Sequence, residues 1–550
     1  LLYHDNHILS LLYEGIENWS IEFRLKYLRG LDGFLSLIQD KISAHLPSLL
    51  AYLSLPIRDE DNSIRLASES ICVTIGMHVP PIDVLDLLIP RVQGEISGTD
   101  TSSHRTNAVR ILTHVIIGIS KQDSYNLTAI VETITNTLAC TNLYEYRETP
   151  LREAIILLVR AVIKTYPNDC KIHHIQNNLT LALIYLQARL PNEDDSIVSE
   201  AAKLELYYLT KNSLGIDKID DSRSDTYINE YLTVHFDYII NKICPNSISS
   251  FQWTPSDINK VAFEVLITQC PKKSWSNYER ILHIISPQVQ PKSGPTPGSI
   301  ESNMANYAAI RGEERIPNIT EIDIRLSLLA LIEGMIRAGS LDWECGQYMS
   351  YAAEPIIKNI IIPNLIWKVG RVEATIRKVT LAAVYALIRA GSIKSDILAA
   401  VAPELVPLLI SHLEDSEVTP RHMSSLCLTV IFERLRGFFA EQSIYELYPK
   451  IIKRLDDSHD EVRLSICQTL QMFLQCAPKS CYSGTTIEYI LDQLFIHLDD
   501  NDNNIQTAVY NTILICSIID IETVKKKANK YLSSNRSSHL IVKLLESLSN

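Results

Sequence analysis

The sequence predicts an all-α chain, a solenoid of stacked helix pairs, and three observations carry that prediction. An acidic phrase recurs at a near-constant beat: Leu413-Glu414-Asp415, Leu455-Asp456-Asp457 and Leu498-Asp499-Asp500 lie 42 and 43 residues apart. Apolar residues on both sides of each phrase follow helical spacing. Gly (18) and Pro (23) are scarce in 550 residues, which suits long helices better than many short strands.

The helices can be taken in order from the clearest unit. Before the second phrase, Tyr448, Ile451, Ile452 and Leu455 fall at i, i+3, i+4 and i+7. After it, Val462, Ile466, Leu470 and Leu474 are spaced four apart, so each set forms one apolar stripe. The third copy repeats this, with Ile490, Leu491, Leu494 and Leu498 before the acids and Ile505, Val509 and Ile513 after them. Each unit therefore reads helix, short acidic turn, helix. A period of roughly 40 to 47 residues with two helices per unit is the range of HEAT and armadillo repeats. The fold class is an α-solenoid of HEAT/armadillo-like helical repeats. The acids suit their place, because a side-chain oxygen there can accept from the free N–H groups opening the next helix, where the dipole also favours negative charge.

Six residues after the last acid of each phrase stands a long polar residue: Arg421, Arg463 and Gln506. The beat continues upstream. Pro363 opens a helix, Ile376-Arg377 precedes Arg421 by 44 residues, and Ile324-Arg325 is an earlier echo. Phe23-Arg24, Ile64-Arg65, Val109-Arg110 and Leu151-Arg152 are spaced 41, 45 and 42 apart, and Asp195-Ser196-Ile197-Val198 opens a further helix. The arginines are read as a ladder pairing each with an acidic turn of its own or the next unit; the alternative is a grip on an acidic partner. Pro47, Pro90, Pro403 and Pro449 are placed in or near the first turns of the leading helices.

From about 211 to 320 no clean unit is found, and residues 286–303 are rich in Pro, Gly and Ser. The expected organisation is an N-terminal HEAT/TPR-like array over 1–285, a loop or linker over 286–318, and a C-terminal HEAT array over 319–550. Trp253, Trp275, Trp343 and Trp367 gather around this break. They are read as core residues closing an irregular junction, with binding anchors as the alternative.

Composition narrows function. Hydrophobic residues make up 46% and charged ones 21%, as in a folded chain, and the net charge of −13 disfavours nucleic acid, which needs a basic face. The basic cluster Lys525, Lys526, Lys527 and Lys530 is read as a solvated helix face. No apolar run is expected to reach the roughly 18 residues of a membrane span. The eleven cysteines are irregularly spaced, without a Cys-x-x-Cys pair, and read as small buried hydrophobes in a reducing compartment. Asn126-Leu127-Thr128 and Asn178-Leu179-Thr180 match the glycosylation pattern by chance, and a first residue of Leu rather than Met is read as the start of a fragment.

No phosphate loop, nucleophile elbow, His-Glu-x-x-His or dinucleotide fingerprint occurs, so no catalytic, cofactor or metal residue is assigned and the binding residues are left open. Adjacent His173 and His174 point to different sides of a helix. His412, His459 and His497 recur near the acidic turns one unit apart rather than converging. Glu193-Asp194-Asp195 and Asp456-Asp457 lack the dense series of a calcium loop and read as helix caps.

One stretch is more specific than a repeat. Tyr448-Pro449-Lys450-Ile451-Ile452-Lys453-Arg454-Leu455-Asp456-Asp457-Ser458, running on to Asp460-Glu461-Val462-Arg463, resembles the C-terminal repeats of the HEAT-repeat dynein axonemal assembly factors. Leu498-Asp499-Asp500 followed by Ile505-Gln506-Thr507-Ala508-Val509 resembles them too. This family is also known as HEAT repeat-containing protein 2. The likeness is strongest over about 400–550. It implies a non-enzymatic cytoplasmic factor for pre-assembly of outer and inner axonemal dynein arms, in contact with dynein intermediate and heavy chains and with other assembly factors or chaperones. The competing reading is another HEAT scaffold, such as a transport receptor or phosphatase regulatory subunit. In either case an acidic array is expected to draw basic partner segments.

Overall fold

The computed structural model describes residues 2–96, 101–122, 125–145, 148–188, 196–215, 224–245, 253–291, 319–533, 536 and 538–548. Among these every regular element is helical. The Glu193-Asp194-Asp195 run and residues 292–318 of the expected linker lie outside the described residues. The start of that linker, from Ser286, instead completes the Tyr278–Val289 helix.

The chain divides into two compact units, Leu1–Phe251 with Ser256–Cys270, and Gln252–Pro255 with Pro271–Asn550. Pro271–Ser276 and Tyr278–Val289 fall in the second unit because they pack on Ile319–Gly339 and Trp343–Ile356. In unit 1 the second helices of successive pairs stack side by side: Ile21–Ile38, Asn62–His78, Ser102–Ile119, Thr149–Thr165 and Ser196–Leu214. In unit 2 the corresponding row is Ile319–Gly339, Arg371–Arg389, Val418–Arg434, Asp460–Phe473 and Asn503–Ile519. The stripes read from sequence face these seams: Val462, Ile466, Leu470 and Leu474 are buried, as are Ile490, Leu491, Leu494 and Leu498. Ahead of the stretch where the beat fails, His173–Gln187 is buried nearly all round, packed on Leu127–Leu138, Ser196–Leu214, Ser224–Ile243 and Ile258–Gln269. Pro90, Pro403 and Pro449 correct the expectation: they sit inside their helices, not in the first turns, and only Pro47 opens one.

Two contacts fix the spacing of the rows. In unit 1, Asn62–His78 and Ser102–Ile119 meet backbone to backbone at Gly76 and Gly118. A Cβ on Gly76 would stand 2.1 Å from the Val115 carbonyl oxygen, and one on Gly118 2.2 Å from that of Val73. In unit 2, the fixing contact is the arginine of each second helix. Arg377 donates through Nε to the Asp415 carboxylate at 2.8 Å and lies 2.7 Å from it through Nη2. Arg421 grips Asp457 with two parallel bonds of 2.8 and 2.9 Å, and Arg463 pairs with Asp500. Each arginine also donates to carbonyls of its own turn: Arg377 to Lys368, Arg421 to Asp415 and Ser416, Arg463 to Leu455. Gln506 makes the same local contact, bonding the Asp500 carbonyl at 2.6 Å.

The ladder reading of the arginines therefore holds, and it revises the role of the acids. Asp415, Asp457 and Asp500 do not cap the following helix. Each accepts from an amide two residues on, at Glu417, His459 and Asp502, while receiving the arginine of the preceding unit. Asp502 is the cap of Asn503–Ile519. Burial works to raise the Asp457 pKa, but the Arg421 guanidinium, the His459 amide and Arg454 outweigh it and hold the carboxyl below its ordinary value.

In unit 1 the ladder is looser. Arg24 pairs with Asp59, Arg65 bonds the Asp59 carbonyl at 3.1 Å, Arg105 the Asn142 carbonyl at 3.2 Å, and Arg152 those of Leu186 and Ala188 at 2.7 and 3.0 Å. Arg105, not the expected Arg110, fills the third position, because Thr101 caps the helix and starts it a turn earlier than the hydrophobic pattern suggests. Farther on, His235 is buried against Asn177 at 2.7 Å, with its ring stacked on His173. Burial and then His173 push its pKa down to about 4.

Three outcomes follow. Ala is favoured over Gly in a helix by about 1 kcal/mol, yet Gly76→Ala and Gly118→Ala are each expected to destabilise unit 1 by about 1–3 kcal/mol, because the backbones must part; a raised urea midpoint would show the crossing to be slack. Arg421→Leu should cost up to about 3–5 kcal/mol by stripping buried Asp457 of its two-pronged partner and leaving only Arg454, 3.6 Å away, as counter-charge, and Arg421→Leu with Asp457→Asn should recover most of it in a double-mutant cycle. His235 stays neutral in the folded chain, so its contribution is complete above pH 6.5 and is lost as pH falls from 6.5 towards about 4, where the unfolded chain takes up the proton. Thermal melts across that window should flatten in His235→Gln.

Candidate interaction surfaces

The sequence singled out four tryptophans, and the structure separates them. Trp253 and Trp275 are buried, and Trp275 donates to the Met335 carbonyl at 3.1 Å under Gly339, where a Cβ would strike its ring. These two are core residues, as expected. Trp343 and Trp367 are exposed, against that expectation. Trp367 lies over the Arg377 guanidinium at 5.8 Å and so belongs to the arginine ladder. Trp343 has no such role. It begins a helix whose cap is Asp342, which accepts from the Glu344 and Cys345 amides, so its side chain is presented by a rigid first turn.

Around Trp343 lies a groove of about 730 Å³ at the turns joining successive pairs of unit 2. Leu341 is 91% exposed, Trp343 77% and Tyr351 65%, and Lys394 stands on the opposite wall. Lys272 bonds Asp342 at 3.0 Å; hydrogen bonding to Lys272 and then to the Cys345 amide holds the Asp342 carboxyl below its ordinary value. Tryptophan and tyrosine are the residues that most often anchor protein contacts, and three large apolar side chains in one groove exceed scattered surface exposure. Trp343 was legible as a candidate; Leu341 and Tyr351 carry no signal in the sequence. A second, smaller groove of about 360 Å³ lies between Ser395–His412 and Glu441–Ile452, lined by Val406, Phe438 and Phe439.

The remaining candidates resolve as structural groups. His412 is buried and donates from Nε2 to the Leu365 carbonyl at 2.7 Å, and burial above all lowers its pKa. His459 stands 3.7 Å from Asp457, and His497 3.3 Å from Asp456 of the preceding turn. His174 lies 3.5 Å from Glu132. Among the described residues no group of three or more His, Cys, Asp or Glu side chains could hold a metal ion. Ten of the eleven cysteines are buried and Cys140 is partly so; burial pushes Cys170, Cys270 and Cys476 up to about 12. Asn126 caps a helix and Asn178 is buried against Asn136.

Two expectations are corrected. The Lys525–Lys530 cluster is solvated at Lys526 and Lys530, as expected, but not at Lys527. It packs on the acidic side of Thr485–His497, where a buried Lys527 donates to Asp492 at 2.6 Å, Lys530 lies 3.8 Å from Asp492 and Lys526 3.6 Å from Glu488. Ser395–His412 is, by length and composition, apolar enough to cross a membrane, with a mean hydropathy of 1.3 over 18 residues. It holds Leu398, Leu405 and Leu409 in the core of unit 2, as the first helix of its pair.

Comparison with known proteins agrees with this architecture. The HEAT-repeat domain of dynein axonemal assembly factor 5 matches residues 4–189. Dynein axonemal assembly factor 5 of Mus musculus is 22% identical over 545 residues, covering 98% of this chain and 57% of the relative. The Xenopus laevis and Homo sapiens proteins of that name are also 22% identical, over 96% and 98% of the chain. The chain thus spans little more than half the length of these relatives. Among solved structures, Kap121p bound to Nup53p is similar at 12% identity and a TM-score of 0.33, over all of this chain and 52% of that one. The helix pairs and seams are those of a HEAT-type solenoid, and along nearly its whole sequence the chain is similar to the dynein axonemal assembly factor 5 proteins.

Proposed function

We propose that this chain is a non-enzymatic scaffold that acts in the cytoplasm in the pre-assembly of axonemal dynein arms, holding dynein intermediate and heavy chains with other assembly factors or chaperones. The observation that carries the reading is the similarity to dynein axonemal assembly factor 5 over nearly all of the sequence. The architecture supports it. Stacked pairs leave long, continuous faces between rigid rows, and such faces suit a large, incompletely assembled subunit better than a small substrate. The exposed Leu341, Trp343 and Tyr351 offer an anchor on one of them.

Affinity purification from ciliated cells is expected to recover dynein intermediate and heavy chains, mostly from the cytoplasmic fraction. Leu341→Ser with Trp343→Ser should reduce that recovery several-fold while leaving the far-ultraviolet spectrum unchanged, since both side chains already face water. Recovery of transport cargo or a phosphatase in place of dynein would replace this reading with the competing one.

A further inference from the structure

The second-helix row of unit 1 holds a feature that runs against the acidic balance of the chain. Between the C-terminal halves of Thr149–Thr165 and Ser196–Leu214 lies an open groove of about 450 Å³. Lys164, Lys171 and Lys211 line it, with Tyr208 and Pro167 supplying apolar surface. Tyr208 is 44% exposed. The one carboxylate in the lining, Glu205, is buried and bonded to Arg160 at 2.6 Å, so its charge is already matched. None of the three lysines lies within ion-pair distance of a carboxylate among the described residues.

That is unlike the other lysine cluster. At Lys525–Lys530 the charges meet Glu488, Asp492 and Glu522 on neighbouring turns. Helix ends do not explain the difference. Lys164 and Lys211 stand in the last turns of their helices, but each helix C-terminus presents only about half a negative charge. Two ends offset about one positive charge, and the groove holds three.

We propose that this groove is a docking site for an acidic segment of a partner polypeptide, its carboxylates received by Lys164, Lys171 and Lys211 and an apolar side chain laid against Tyr208. A polypeptide fits better than a nucleic acid, because a chain of net charge −13 repels a long phosphate backbone, whereas a short acidic segment meets only the local field. The inference does not depend on which protein carries the segment.

The test uses the whole chain and a fluorescein-labelled peptide of Glu and Asp with one central Phe, read by fluorescence anisotropy. Saturable binding that weakens as salt rises to about 0.15 M is expected, with a loss of at least about tenfold in Lys164→Glu/Lys171→Glu/Lys211→Glu. Should the triple change disturb folding, Lys171→Glu alone is expected to weaken binding about threefold and Tyr208→Ala to weaken it at unchanged salt dependence. Equal binding by wild type and variants overturns the proposal. So does tighter, lysine-dependent binding of a single-stranded oligonucleotide of equal charge. A gain of about tenfold in Asp217→Asn/Asp220→Asn/Asp221→Asn overturns it too, since the groove would then serve the chain's own acidic stretch.

Discussion

Arg421 belongs to one helix pair and Asp457 to the next, and both are buried at the point where the two turns touch. A guanidinium taken out of water must find acceptors for its donors in a fixed planar fork. Here two go to the carboxylate of the following unit and two to carbonyls of its own turn, with the His459 ring 3.5 Å from Nη2. The pair contributes little net stability against an apolar substitute. Its effect is geometric, because the fork satisfies its donors in only one placement of the two turns. Repeating it through Arg377–Asp415 and Arg463–Asp500 carries one turn-to-turn relation along unit 2. The exposed faces of that unit inherit their regularity from it.

A second set of contacts works beside the ladder. Ser425 meets Ser465 at 2.5 Å, Thr429 meets Thr469 at 2.9 Å, and Gln471 reaches Thr512 at 3.2 Å, all between neighbouring second helices. Small hydroxylic side chains let the helix axes approach while still satisfying themselves on carbonyls of the preceding turn. In unit 1 Gly76 and Gly118 achieve the same closeness with no side chain at all.

The period, the helix pairs and the arginine positions of unit 2 were legible because every copy repeats the same turn, and three copies turn coincidence into a pattern. Unit 1 was less so, and Arg105 shows why. The hydrophobic stripe of Ser102–Ile119 places a plausible beat at Val109-Arg110, while the true start of the helix is fixed by a Thr101 hydroxyl bonded to the His104 amide. A cap is one atom and one hydrogen bond, and it leaves no periodic trace. The groove around Trp343 was half visible for a related reason. A tryptophan stands out by type, but Leu341 and Tyr351 become a surface only when turns of successive pairs come together. The sequence offered the turn acids two partners, the helix that follows and the arginine ladder; it does not show that at Asp415, Asp457 and Asp500 the arginine of the preceding unit takes the carboxylate and leaves the helix amides to other groups.

The sheltered sulfurs have a consequence of their own. With the thiols of Cys170, Cys270 and Cys476 held near 12, the anionic form that reacts with peroxide, disulfides or soft cations is scarce at neutral pH. Exposed thiols in a chain with eleven cysteines would be vulnerable to crosslinking whenever oxidant levels rise. Here those sulfurs are wedged between helices as inert filler, so an oxidative burst has to open the stack before it can mark them.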